Sequence, residues 1–348
     1  MSKKLLILDG IGGATLGRDL HLAVLDAGVK AIHRDLATLD RRPFYKPRAA
    51  LAKAWSKKAH GDNFYHLPRS DKDTLRPIFE EVEPDVVLVI GFCYKFISPT
   101  ELKSLADEFS SNLYLYDTDS CNLYSRRREF IFFIDNELPV YDEVFSFSEV
   151  VTGFFNRLGI RASFAPFGAL PVPQSRPREA CRDVLFVGSA DLRRVFLLEN
   201  INERVEVFGN RWQRNYPLMS EALKQRVSDE SVWGEQLQQL LVSSKIVLNI
   251  TRSPFYGAET GINLRIFEAL AAGCFVLTDY CDEVVDLFEA GREIETFKGA
   301  AELVEKVAYY LENEKERQAI ARRGHDKFLQ SYTWQVRSRD MLEKMGLS

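Results

Sequence analysis

An asparagine, an arginine and a glutamate, Asn263, Arg265 and Glu268, stand inside ETGINLRIFEALAAGCFVLTDY (259–280), a stretch otherwise suited to a protein core. Its apolar spacing predicts a helix with Leu264, Phe267 and Ala271 along one face and Arg265, Glu268 and Ala272 along another. An exposed Arg–Glu pair contributes only ~0–1 kcal/mol. This helix lies between a strand and the very apolar GCFVLTDY, and a buried pair costs several kcal/mol in desolvation unless it is well satisfied. A structural pair is one reading. The other is recognition of an anion and a diol: backbone N–H groups of Gly261 and Asn263 with Arg265 meet a diphosphate at the helix start, and Glu268 accepts hydrogen bonds from two ribose hydroxyls.

Three further junctions place a glycine after an apolar run: LDGIGGATLG (8–17), FVGSADLR (186–193) and VFGNRW (207–212). Each glycine either turns the chain or lets a ligand approach the backbone, and a helix starting beyond it aims free N–H groups at phosphate. None is a strict G-x-G-x-x-G or a P-loop. The one D-x-D, Asp117-Thr118-Asp119, follows a predicted strand and reads as a turn with Asx hydrogen bonds or as a metal pair. The stretch RRPFYKPRAALAKAWSKKAH (41–60) holds seven Lys or Arg and no acid, with Phe44, Tyr45 and Trp55 among them. It reads as a solvated loop and helix face, or as a dock for an anionic acceptor or a membrane surface.

The elements that must position these residues follow an alternating pattern. Apolar runs rich in β-branched and aromatic residues predict strands at Leu5–Leu8, Ala31–Arg34, Val86–Ile90, Asn112–Tyr116, Glu143–Ser146 and Arg161–Ala165. Amphipathic stretches predict helices over Leu16–Ala27, Asp71–Val82, Ser98–Phe109 and Ser148–Leu158. A proline-rich break, PFGALPVPQSRPREACRD (166–183), interrupts the alternation and is expected to link two domains. Strand and helix signals then resume at DVLFVGSADLRR (183–194) and continue through VEVFGN (205–210), Lys245–Ile250 and a helical stretch from Ala300 to about Gln330. The expectation is α/β: two doubly wound Rossmann-like domains, 1–170 and 183–332, joined by a linker over 171–182 and sharing one cleft beyond the strand ends. A last helix over 333–348, with Thr333 as N-cap, is expected to pack back on the first domain.

Composition narrows the class. The 348 residues, 46 % hydrophobic and 28 % charged, suffice for two cores. A net charge of -4 gives no global pull towards nucleic acid, which is not expected as a partner. Cys93, Cys121, Cys181, Cys274 and Cys281 show no C-x-x-C and no metal-ligand spacing, as in reduced cytosolic proteins. The start MSKKLLILDG offers only a four-residue apolar run, short of a secretory signal, and no run approaches a membrane span. A cytoplasmic chain, peripheral at most to a membrane through 41–60, is the expectation.

The second half resembles the CgeB-like, or spore-maturation-type, glycosyltransferases, a branch of the two-domain GT-B class that includes many bacterial polysaccharide enzymes. The resemblance rests on FVGS (186–189), VFGNRW, GINLRIFEALAAGCFVLTDY (261–280), YYLENEKERQAIARRG (309–324) and SYTW (331–334), and more loosely on NLYLYDTDS (112–120), YDEVFSFS (141–148) and APFGAL (165–170). It implies transfer of a sugar from a nucleotide diphosphate sugar, held by the second domain, to a glycan, lipid-linked or protein acceptor held by the first. It further implies that Glu268 holds the donor ribose and that Gly188 and Ser189 approach the diphosphate. Gly209 with Arg211 or Trp212 would lie near the base, and Arg252 would face the phosphates. Many retaining relatives carry a glutamate eight positions before the one matched by Glu268. Here Thr260 stands there, beside Glu259, which leaves the stereochemical outcome open.

Glycosyl transfer needs negative charge on the leaving diphosphate stabilised, which helix N-termini and arginine supply without an obligatory metal or other cofactor. An inverting reaction also needs a general base from the first domain, with Asp119 and Asp117 the first candidates, Asp9 the next and His21 a weaker one. A scaffold or sensor that binds the donor without turnover, and a nucleotide-sugar epimerase, are the rival readings.

Overall fold

The computed structural model describes residues 3–11, 15–58, 61–172 and 181–347. The chain divides into two compact units, Met1–Pro166 with Ser338–Ser348, and Phe167–Arg337.

The first unit is built on β1 (Lys4–Asp9), β2 (Lys30–Asp35), β3 (Val86–Ile90), β4 (Asn112–Asp117), β5 (Glu143–Ser146) and β6 (Ala162–Phe164). All pair in parallel, in the order β2-β1-β3-β4-β5-β6. Helices Leu16–Asp26, Lys72–Val82, Pro99–Glu108 and Glu149–Arg157 connect them. With helices on both faces, the central strands lose their polar alternation, and every residue of β3, VVLVI, is buried. Local chemistry sets the helix starts: the Asp71 and Ser148 side chains accept hydrogen bonds from Thr74 N and Val151 N.

The second unit repeats the plan with β7 (Arg182–Val187), β8 (Val205–Phe208), β9 (Val227–Ser228), β10 (Ser244–Asn249), β11 (Val276–Asp279) and β12 (Glu295–Phe297). These too are parallel, ordered β12-β11-β10-β7-β8-β9. Val184, Phe186, Val207, Leu248, Leu277 and Trp212 meet in its core. Each sheet is therefore doubly wound, with order reversing between β1 and β3 in one and between β7 and β10 in the other. Ligands of such sheets bind beyond the carboxyl ends of the strands at this reversal.

Most of the expected linker, 173–180, lies outside the described residues. Phe167 and Ala169 group with the second unit, because the Phe167 ring meets Phe267 at 6.5 Å and Ala169 bridges to Thr333. Thr333 Oγ1 accepts from Val336 N (3.3 Å) at the start of helix Trp334–Lys344, and from Ser338 onward the chain belongs to the first unit. There Lys3 Nζ donates to Gly346 O at 3.1 Å. No helix among the described residues is long and apolar enough to cross a membrane.

One carboxyl is sealed in the first core. Glu137 is fully buried and accepts from Cys93 N (2.7 Å) and Tyr94 N (3.0 Å), fixing the turn after β3. Burial raises its pKa to about 7 against the opposing pull of those hydrogen bonds. Because the folded value lies above the unfolded one, this group's stabilisation is complete below the unfolded pKa and is lost as pH rises through about 7. Between pH ~5 and ~8 the wild type should lose up to about 3 kcal/mol more stability than Glu137→Gln does. Urea unfolding of both proteins at the two pH values checks this, and parallel losses would refute it.

Candidate functional site

The reversal between β7 and β10 gathers most of the predicted donor residues. From β7 the chain passes through Gly188 and Ser189 to Asp191, whose carboxylate does two jobs. Its Oδ1 accepts from Arg194 N (3.0 Å), capping helix Leu192–Leu198, and its Oδ2 accepts from Ser253 N (2.8 Å) in the loop beyond β10. Arg194 ties the same loops from below, donating to Ser189 O (2.7 Å) and, through Nε and Nη2, to Ile250 O (2.9 and 2.7 Å). Burial lowers its pKa to about 10, which still leaves it charged at neutral pH.

A similar brace comes from β11. Asp279, 2 % exposed, accepts from Thr251 N, Thr251 Oγ1 (2.8 Å) and Arg193 Nη1 (2.6 Å). Arg193 also donates to Thr251 O (3.0 Å) and lies 3.7 Å over the Tyr256 ring. These bonds hold Thr251 and Arg252 at the end of β10.

Beside them begins the helix Leu264–Ala271. Asn263 is its N-cap, accepting from Arg265 N (3.1 Å), while its Nδ2 donates to Asn249 Oδ1 (2.9 Å) and Asn249 in turn donates to Thr278 Oγ1 (2.9 Å). A polar chain thus runs across the ends of β10 and β11 and fixes the helix start. Arg265 Nη1 lies 2.7 Å from Glu268 Oε2, one helical turn apart, with side chains 12 % and 17 % exposed. Trp233, 41 % exposed, lies 5.9 Å from the Arg265 guanidinium. Arg252 Nε and Arg265 Nε are buried with no acceptor among the described residues. Two arginine donors, a helix N-terminus and a carboxylate together make a surface fitted to an anion with an attached diol.

Four predicted residues remain, at or beside the turns: Trp212, Gly261, Arg211 and Gly209. Trp212 is fully buried in the core, edge-on to Phe186, and its indole N–H donates to Gly188 O (3.0 Å), so it positions the Gly188 turn and offers no face to a base. Gly261 is buried because a Cβ there would come 2.6 Å from Cys281 Cβ, so close packing against the start of helix Asp282–Leu287 requires the glycine. Arg211 is exposed at the end of the β8 turn, in the left-handed region at φ 67°. Gly209, at φ 147°, brings the β8 turn against the Gly188 peptide.

Solved structures share this fold. A glycosyltransferase from Rickettsia africae ESF-5 superposes with a TM-score of 0.64 at 11 % identity, covering 99 % of this chain and 98 % of its own. Sucrose-phosphate synthase from Thermosynechococcus elongatus gives 0.68 at 13 % identity over 98 % of both chains, and Anabaena HepE in complex with UDP-glucose gives 0.64 at 13 % over 99 % of both. The fold is GT-B. Residues 193–343 also match the family model described as glycosyl transferase-like. No curated protein matches the chain in sequence. The CgeB-like branch is not singled out by these matches.

In the first GT-B unit the four candidate bases differ sharply. Asp117, fully buried at the end of β4, accepts from Asp119 N (3.2 Å), Ser120 N (2.9 Å), Ser120 Oγ (2.7 Å) and Ser146 Oγ (3.2 Å). These bonds tie it to the start of the turn Ser120–Leu123, the Asx-type role that the sequence offers as one alternative for this carboxylate. Asp9, 4 % exposed at the end of β1, accepts from Ile11 N (2.8 Å) and lies 3.2 Å from His33 Nε2. His21 lies 3.1 Å from Ala31 O, at the sheet. Asp119 is half-buried beyond β4 and accepts from Asn122 Nδ2. Among the described residues no group of three His, Cys, Asp or Glu is disposed to hold a metal ion.

Asn249, Asp279, Asp191 and His33 escaped the sequence reading. The available signal was a polar residue closing an apolar strand run, as in KIVLN (245–249) and FVLTD (275–279).

Proposed function

We propose that this chain is a glycosyltransferase that binds a nucleotide diphosphate sugar in its second unit and passes the sugar to a glycan, lipid-linked or protein acceptor read by its first. The observation that carries the proposal is the assembly at the β7/β10 reversal. There, Asn263 caps the helix start, two arginine Nε donors lack acceptors among the described residues and Glu268 stands one turn in. Gly188 and Ser189 take the diphosphate with Arg252 and Arg265, Gly209 and Arg211 border the base, and Glu268 binds the ribose diol. Arginines and N–H dipoles neutralise the leaving diphosphate, so no metal is required for the step. The HepE complex makes UDP-glucose the first donor to test.

For an inverting reaction, Asp119 is the base we assign, because it is half-buried beyond β4 while Asp117 and Asp9 are only 2 % and 4 % exposed. Donor affinity is measured by thermal stabilisation, where a hundredfold excess over Kd should add about 2.7 kcal/mol. Asp119→Asn should keep that affinity and lower kcat about a hundredfold, the lower range for a general base. Turnover should persist in excess EDTA. Stabilisation without transfer to any acceptor would favour a donor-binding scaffold, and rearrangement of free donor would favour an epimerase.

A further inference from the structure

The helix Tyr45–Lys58 has no buried residue, alone an unusual property for a fourteen-residue helix in a packed unit. Its inner side carries only small or single contacts: Tyr45, Ala49, Ala52 and Ser56 fall on one face and are half-buried, with Ser56 Oγ accepting from Tyr65 N (3.2 Å) and Ser56 O from Arg128 Nη1 (3.2 Å). The outer side divides in two. Leu51 and Trp55, one turn apart, are 63 % and 69 % exposed, and Phe44 just before the helix is 82 % exposed. At 100° per residue Lys46, Lys53 and Lys57 line the opposite flank, and Lys58 closes the end. Ion pairs nearby use Arg42, with Glu101 and Asp71, and Arg127, with Asp62. Among the described residues none uses a cation of this helix.

We propose that this helix lies on an anionic lipid bilayer, with Phe44, Leu51 and Trp55 entering the headgroup boundary and the lysine flank held by lipid phosphates. Several features select that occupant. A protein groove would match the apolar stripe but would have to supply acids along its whole length, whereas an anionic surface offers both requirements at once. The segment has no acid from Arg41 to His60, so nothing in it opposes such a surface. An exposed tryptophan flanked by lysines is the composition of an interfacial anchor. A nucleic acid would use the lysines and leave Leu51 and Phe44 without a role.

The test uses the full chain and vesicles, and does not depend on the donor site. The protein should sediment with vesicles of phosphatidylcholine mixed with phosphatidylglycerol, fail to sediment with phosphatidylcholine alone, and release as salt is raised. Changing Lys46, Lys53 and Lys57 to glutamine should weaken the partition about a hundredfold. These lysines are exposed, so an unchanged melting curve is expected and serves as the folding control. Vesicles should also shift tryptophan emission to the blue, an effect lost in Trp55→Phe. No binding to mixed vesicles, unchanged binding of the triple variant, or capture by RNA but not by vesicles would each overturn the proposal.

Discussion

Glu268→Ala should abolish measurable donor binding while leaving the fold intact. The carboxylate stands on the second turn of Leu264–Ala271, 2.7 Å from Arg265 Nη1 and still 17 % exposed, so a ligand can reach it. Hydrogen bonds from two hydroxyls to a charged acceptor contribute about 1.5–3 kcal/mol each, so the loss in donor affinity should be at least about a hundredfold. The ion pair itself is neither fully exposed nor fully buried, and its removal should cost about 1–2 kcal/mol of stability. The two effects separate the readings left open by the sequence. If Arg265 and Glu268 are only a structural pair, stability falls and affinity for UDP-glucose or any other nucleotide sugar stays within about threefold. If it binds the diol, affinity collapses by far more than stability does. Glu268→Gln keeps the volume and one acceptor oxygen and should fall between. Titration calorimetry with thermal unfolding of the same samples reads both quantities.

Much of the architecture is written locally in the chain. Runs such as VVLVI and KIVLN can be buried on both sides only in a parallel sheet, and the intervening amphipathic stretches supply the covering helices. Edge strands were harder: β9 is two residues long and β12 three, too short for any period to show. At the site, Asn263 and Glu268 were visible because polar groups on a strongly apolar helix need partners. Asn249 and Asp279 were not, since their roles depend on β10 pairing with β11, which sets Asn249 opposite Thr278 across twenty-nine positions of chain. Trp212 and Asp117 show the converse limit. An indole and a carboxylate after strands are attractive ligands by type, yet both are buried and bonded to the very turns they were expected to decorate.

That bracing makes Gly209 the most sensitive backbone position of the site, and Gly209→Ala should be among the most damaging single substitutions in the second unit. The residue sits at φ 147°, where a side chain is strained, and a Cβ would fall 2.0 Å from Gly188 O. No flexible side chain can yield there, because the obstacle is the peptide after β7, itself bonded by Gly188 N to Phe208 O (2.8 Å) and by Trp212 Nε1 to Gly188 O (3.0 Å). Relief requires the β7 and β8 turns to part, which breaks both bonds and loosens Trp212 in the core, at a cost of about 3 kcal/mol or more. Gly188→Ala provides the contrast. Its Cβ would meet Arg194 Nη1 and Phe186 Cζ, both at 3.1 Å, which are side-chain atoms able to shift by tenths of an ångström. This second variant should therefore cost about 1 kcal/mol in stability. It places a methyl on the turn assigned to the diphosphate, so it should lose donor affinity out of proportion to that cost. Equal losses of stability in the two variants would contradict the backbone clash, and full donor affinity in Gly188→Ala would remove Gly188 from the phosphate site.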